Sequence, residues 1–227
     1  MRPVQRGLPH LYTNGQPYNS ALGGLVAKLG AYCSYCEKPL SHAHEIEHIQ
    51  PKDLYPGLER HWENLLLACK NCNTAKGKQD WPLNHWLIPD RDNTFISFVY
   101  LENGIVEINP HLATAPLAAK TLELFNLNDE RGKHGLLKRV IPRMECWGKA
   151  KLSLIHWHNN PTLEMEKLII DLAKATGFFR LWMAVFADVP TVREQLLSAF
   201  PGTEPACFTT PPQPHPNTDN LPHGSKI

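Results

Sequence analysis

Four of the six cysteines in this 227-residue sequence stand at spacings that could hold a metal. Cys33 and Cys36 in "CSYC", and Cys69 and Cys72 in "CKNC", form two C-x-x-C pairs separated by 32 residues. A knuckle of this kind presents two sulfurs, and four sulfurs around one ion close a tetrahedral tetrathiolate zinc site. Such a site leaves no position open for a substrate, so the zinc it predicts is structural and ties two distant segments together. Cys146 and Cys207 stand alone and read as ordinary thiols. Between the pairs, His44-Glu45-Ile46-Glu47-His48 satisfies the pattern H-E-x-x-H. On a helix that pattern sets two His one turn apart on a zinc, with the Glu activating water for peptide hydrolysis. Pro39 and Pro51 leave room for only roughly three helical turns, and a third metal ligand would have to come from an unmarked position. The segment instead alternates around Ile46 and Ile49, which predicts a short strand entering a loop.

The elements that must position these residues are legible in outline. "ALGGLVAKLG" reads as a short helix that Asn19 or Ser20 can cap and Gly30 ends. "AYCSYCEKPL" is the first knuckle; "ENLLLACKNCNTAKGKQD" gives an apolar strand, the second knuckle and a short helix from about Asn73. "TFISFVYLENGIVEIN" is a hairpin turning at Glu102-Asn103-Gly104. Beyond it the periodicity becomes helical. "APLAAKTLELFNLN" is one helix; in the next, Leu137, Val140, Ile141, Met144 and Trp147 share a face, and Pro142 must kink or divide it. "PTLEMEKLIIDLAKATG" starts at Pro161 and stops at Gly177, followed by "FFRLWMAVFAD" and "VPTVREQLLSAF". The change of character divides the chain into a module over 1–110, a helical unit over 111–201 and a Pro-rich, disordered tail over 202–227. The formal net charge of +1 points to no particular partner. Seven Lys/Arg lie between Arg131 and Lys151 against the single acid Glu145, a run that reads equally as a solvated helix face or a phosphate contact. The N-terminus lacks the apolar core of a signal peptide and no run approaches a membrane span, so a cytoplasmic protein with no membrane partner is expected.

Taken together, "EIEHIQPKD" and "WENLLLACKNCNTAKGK" resemble the HNH nuclease family, in order and across residues 33–78. That family's pattern is an acid or His followed by His, an Asn before an apolar strand, then His or Asn with a Lys three residues on. Glu47-His48, Asn64, Asn73 and Lys76 fill those positions, with Glu47 where Asp or His is commoner and Asn73 in place of the last His. The resemblance implies an α+β fold: a zinc-braced ββα-metal nuclease module followed by a C-terminal helical unit. It implies His48, Asn64 and Asn73 as the catalytic set. His48 would be the general base, since a neutral imidazole of pKa roughly 6.5 can take a proton from water near neutral pH. Glu47 and Asn73 would offer hard oxygen ligands suited to Mg²⁺ or Mn²⁺, distinct from the structural zinc. Asn64 would hold the loop that presents His48. In a strand, Glu45 and Glu47 share one face and His44, Ile46 and His48 the other, so a bend after Ile46 is expected to bring Glu47 and His48 to one phosphate. Lys70, Lys76 and Lys78 are the candidate nucleic-acid contacts, with DNA ahead of RNA as substrate. The phrases "MRPVQRG", "GAYCSYCEKPL", "EIEHIQPKDLYP" and "AFPGT" are similar to the small HNH subunits of Septu and retron-associated antiphage systems. That likeness implies an ABC-type ATPase partner, with "FFRLWMAVF" as the docking stretch. A metalloprotease or a non-catalytic zinc-knuckle binding module are the alternatives.

Overall fold

The computed structural model describes residues 1–40, 44–129, 137–210 and 212–214. A 3₁₀ turn at Tyr18–Ala21 runs into helix α1, Leu22–Leu29, which Gly30 ends at φ +70°. Neither Asn19 nor Ser20 caps it; the Ser20 hydroxyl donates to the Pro17 carbonyl instead. Strand β1, Glu45–His48, pairs antiparallel with β2, Leu65–Ala68, in a register that sets Glu45 opposite Ala68 and His48 opposite Leu65. All four β2 residues are buried, as a continuous apolar run requires when both faces are covered. Helix α2, Lys70–Lys76, follows with Cys69 at its N-cap, which completes the ββα order. His44 and His48 are therefore the two ends of an extended stretch roughly 13 Å long and cannot share one metal, so the protease reading fails. The expected bend after Ile46 is also absent, because the pairing with β2 continues unbroken through His48.

The hairpin is shorter than its sequence pattern. Thr94–Ser97 forms a one-turn helix, α3, and only Phe98–Tyr100 (β3) and Val106–Ile108 (β4) pair. Its turn rests on the start of a later helix. Gly104 holds φ +78°, and a Cβ there would lie 2.2 Å from the Val140 carbonyl oxygen. Helices α4 (Ala115–Leu124), α5 (Val140–Asn159), α6 (Leu163–Thr176), α7 (Phe179–Val185) and α8 (Pro190–Ala199) make up the second half. α5 packs on α6 and α7, and α6 on α8. Pro142 neither kinks nor divides α5, because it falls in the first turn, where a backbone N–H has no intrahelical acceptor. Starting at Val140, the helix turns Val140, Arg143, Cys146 and Ala150 inward and leaves Leu137 and Met144 exposed.

The described part of the basic run is split between buried and solvated residues. Arg143 is buried and donates to the carbonyls of Gly104 and Leu127, and Arg139 is buried on Asp129. Lys149 and Lys151 are exposed, while Arg131 and Lys133 lie outside the described residues. "FFRLWMAVF" is core rather than docking surface, with Phe179, Leu181, Trp182, Met183 and Phe186 all buried. One hydrophobic core cluster contains buried residues from both sides of residue 110, from the knuckles to the helices. Tyr35 of the first knuckle stacks on Phe125 with ring centroids 3.8 Å apart. The chain beyond Gly202 begins as packed structure: Val4 and Thr203 form a β-bridge, Gln5 N donates to the Gly202 carbonyl, and Cys207 and Phe208 are buried. The remainder of the expected tail, apart from residues 212–214, lies outside the described residues.

Candidate active site and zinc centre

The two knuckles converge. The sulfurs of Cys33, Cys36, Cys69 and Cys72 all lie within 4.8 Å of one another, and Cys36 Sγ is 3.7 Å from Cys69 Sγ. A tetrahedron with zinc–sulfur bonds of about 2.3 Å has edges of about 3.8 Å, so the four thiols fit that ion. Their mutual hydrogen bonding drives their acidities apart. Contacts from Cys33, Cys36 and Cys72 hold Cys69 well below the usual thiol range, whereas contacts beginning with Cys33 push Cys36 and Cys72 well above it. Four buried sulfurs without a cation cannot all be thiolates, which is the charge problem a divalent ion solves. The helical half and strand β3 both reach toward this centre. Arg139 Nη2 lies 3.9 Å from Cys72 Sγ, the Glu37 carboxylate accepts from Arg180 N and the Tyr100 hydroxyl, and the Glu37 carbonyl accepts from Phe178 N.

Beside the zinc centre, β1 and α2 enclose a cleft of about 230 Å³ lined in part by Glu47, His48, Asn73 and Lys78. His48 Nε2 lies 3.0 Å from the Glu59 carbonyl oxygen. A carbonyl only accepts, so Nε2 carries the proton and Nδ1 keeps a free lone pair. Burial lowers the imidazole pKa from its ordinary value, and the Glu59 carbonyl and Glu47 partly offset this. The Tyr18 ring packs edge-on to His48, with centroids 4.8 Å apart. Asn64 is buried and fixes the loop after His48: its Oδ1 accepts from Gln50 N at 2.8 Å, and its Nδ2 donates to the carbonyls of Gln50 and Leu58.

Glu47 borders the same cleft but is almost fully buried. Its Oε2 accepts from the Tyr35 hydroxyl at 2.5 Å and its Oε1 meets Lys76 Nζ at 2.6 Å. Burial pushes the Tyr35 phenol well above its ordinary pKa, so it remains a donor. Lys76 Nζ also donates to the His48 carbonyl at 2.7 Å. Its side chain is only 1 % exposed, so the ammonium expected to contact a phosphate backbone is here turned inward onto Glu47. Lys78 is 82 % exposed and pairs with Asp53, and Lys70 is exposed. Asn73 Nδ2 donates to Glu45 Oε2 at 2.8 Å, so this amide is joined to Glu45 rather than to Glu47. Residue types alone did not single out Tyr35, Tyr18 or Lys52. Lys76 had a usable signal, since it follows Cys72 by four residues on a helix and must share its buried face.

Removing one partner of the Glu47–Lys76 pair strands a buried charge. Lys76→Met is expected to lower stability by about 3–5 kcal/mol, with part recovered in Lys76→Met/Glu47→Gln, as measured by denaturant unfolding. A single variant as stable as wild type would show that the ammonium contributes nothing to the fold.

Residues 33–79 match the sequence model of the HNH endonuclease family. A Septu protein PtuB of Bacillus thuringiensis is 44% identical over 134 residues, covering 57% of this chain and 46% of that protein. The chain thus spans about half the length of the relative it matches.

Proposed function

From the HNH match over residues 33–79, we propose that this chain is a metal-dependent endonuclease that hydrolyses phosphodiester bonds of nucleic acid. It serves antiphage defence in the cytoplasm, acting on DNA ahead of RNA and under an ABC-type ATPase subunit. The observation that carries the reading is His48, whose tautomer the Glu59 carbonyl sets and whose ring borders the cleft shared with Glu47 and Asn73. Nδ1 is free to take the proton of an attacking water, and a lowered pKa keeps the imidazole neutral for that task. Asn64 holds the loop and thereby the ring.

The donor set fits a hard divalent ion. Asn73 offers Oδ1, and the Glu47 carboxylate has about four lone-pair sites, of which Tyr35 and Lys76 engage one each. Mg²⁺ or Mn²⁺ held there would stabilise charge on the phosphate and on the leaving oxygen. The Lys76 ammonium beside Glu47 opposes a second cation, so binding of the ion is expected to be weak until a phosphate brings further negative charge. The PtuB likeness supports the defence role and the ATPase. Leu152 and Ile155, one turn apart on α5, with Leu163 at the start of α6, are exposed apolar residues suited to docking that subunit.

The test is a panel of plasmid DNA and RNA incubated with the chain, with and without a candidate ABC-type ATPase subunit, in Mg²⁺, Mn²⁺ or chelator. Cleavage that needs the divalent ion while zinc stays bound is expected. Salt-sensitive binding without cleavage under every condition would favour the non-catalytic knuckle module and overturn the nuclease.

A further inference from the structure

Tyr18 and Lys52 lie outside the pattern that marks the nuclease, yet both line the same cleft as His48. Tyr18 comes from the 3₁₀ turn before α1, outside the matched residues 33–79. Its ring meets His48 edge-on at an interplanar angle of 73°. Its hydroxyl accepts from Lys52 Nζ at 3.2 Å, and that ammonium stands 4.4 Å from the centroid of the same ring. Glu59 Oε1 flanks Lys52 at 3.6 Å. Lys52 is therefore held from two sides, and its side chain is still 39 % exposed. An ammonium has three donors, and the Tyr18 hydroxyl uses one.

The other cations near the cleft are placed differently. Lys76 is sealed on Glu47, and Lys78 Nζ is 2.6 Å from Asp53. Among these three, Lys52 alone combines exposure at the cleft with a fixed position beside the general base. We propose that Tyr18 and Lys52 form a substrate anchor: the Lys52 ammonium binds a phosphate of the nucleic acid next to the scissile one, and Tyr18 positions both that ammonium and the His48 ring. This rests on the nuclease reading above.

The two roles separate by substitution. Lys52→Met removes the charge and keeps the stem, so it is expected to raise KM by about three- to tenfold near physiological salt. The slope of log K against log salt should fall by about 1, as for the loss of one phosphate contact. Lys52→Arg should restore most of both. Tyr18→Phe keeps the ring and removes the acceptor, so its effect should fall on KM. Tyr18→Leu also frees the imidazole and should lower kcat as well, with no further loss when combined with His48→Ala.

The measurements are steady-state cleavage by the full chain and binding of a labelled oligonucleotide over a salt series with Ca²⁺ replacing Mg²⁺. An unchanged KM and salt slope in Lys52→Met, with wild type cutting normally, would overturn the anchor and leave the nuclease standing. A wild type that binds with the expected slope change in Lys52→Met yet never cuts would overturn the nuclease and keep the phosphate contact. Equal loss of kcat in Tyr18→Phe and Tyr18→Leu would refute the division of labour within Tyr18.

Discussion

Cys69→Ser is expected to release the zinc and unfold the chain. The other three sulfurs cannot close the tetrahedron, and Cys69 is also the residue at the N-cap of α2, where the second knuckle turns into the helix. Structural zinc contributes on the order of 10–16 kcal/mol in small zinc-dependent folds, against roughly 5–15 kcal/mol for the whole stability of a domain. Losing a third of the former, about 3–5 kcal/mol, melts only a chain at the low end of that range, whereas losing most of it melts an ordinary domain. Because Arg139, Glu37 and Tyr35 bind the knuckles to the helices, the loss should spread through both halves in one transition. Metal analysis should find one zinc per wild-type chain and little in the variant, and the melting temperature should fall steeply. Cys146→Ser is the control, because Cys146 lies outside the cluster and its neighbours are Thr176 and apolar core. A Cys69→Ser protein melting like the Cys146→Ser protein would remove zinc from the account of the fold.

His48→Ala should abolish cleavage with zinc and fold intact. A positioned general base contributes about 10²- to 10⁴-fold, and among the described residues the side chain's polar and ring contacts are the Glu59 carbonyl and the Tyr18 ring. The informative comparison is His44→Ala, because His44 sits before β1 and the protease reading would have needed it equally. It should cut at close to the wild-type rate. Glu47→Ala and Asn73→Ala should weaken the dependence on divalent ion, and Glu47→Ala should also destabilise by stranding Lys76. Glu45→Gln keeps an oxygen for Asn73 Nδ2 and should change little, whereas Glu45→Ala leaves that amide without its partner. Equal activity in His44→Ala and His48→Ala would exclude His48 as the base.

What the sequence made legible was local spacing. Two C-x-x-C pairs need no tertiary information to be paired, and Asn64 stands at a fixed interval before an apolar strand. The strand reading of "EIEHI" rested on alternation around its isoleucines; the strand forms, but Glu47 rather than Ile46 is the buried residue of β1. What stayed hidden depended on distant contacts. Nothing within ten residues of Tyr18 points to His48, and only the folding of α1 against β2 brings the two together. Arg139 and Arg143 read as surface because charge is normally exposed, but the chain offers them buried carbonyls, a carboxylate and a thiol. The boundary at 110 was drawn from a change in periodicity, which reports a change of secondary structure and is silent on whether the pieces share a core.

The bridge between Val4 and Thr203 sets a schedule for synthesis. While Arg2 also reaches the Leu29 carbonyl and Val4 N the Pro89 carbonyl, Arg2 donates to the Pro201 carbonyl and Glu204 N to the Pro3 carbonyl, so part of the opening segment finds partners about two hundred positions later. At about 5–20 residues per second, a ribosome needs roughly 10–40 s to deliver them. Through that interval the knuckles can gather zinc, but the seam over them stays open, and contacts this far apart in sequence are slow to form. The nascent chain therefore lacks this seam until residues 201–204 emerge, and the cell has that time in which a partner or a chaperone can meet it.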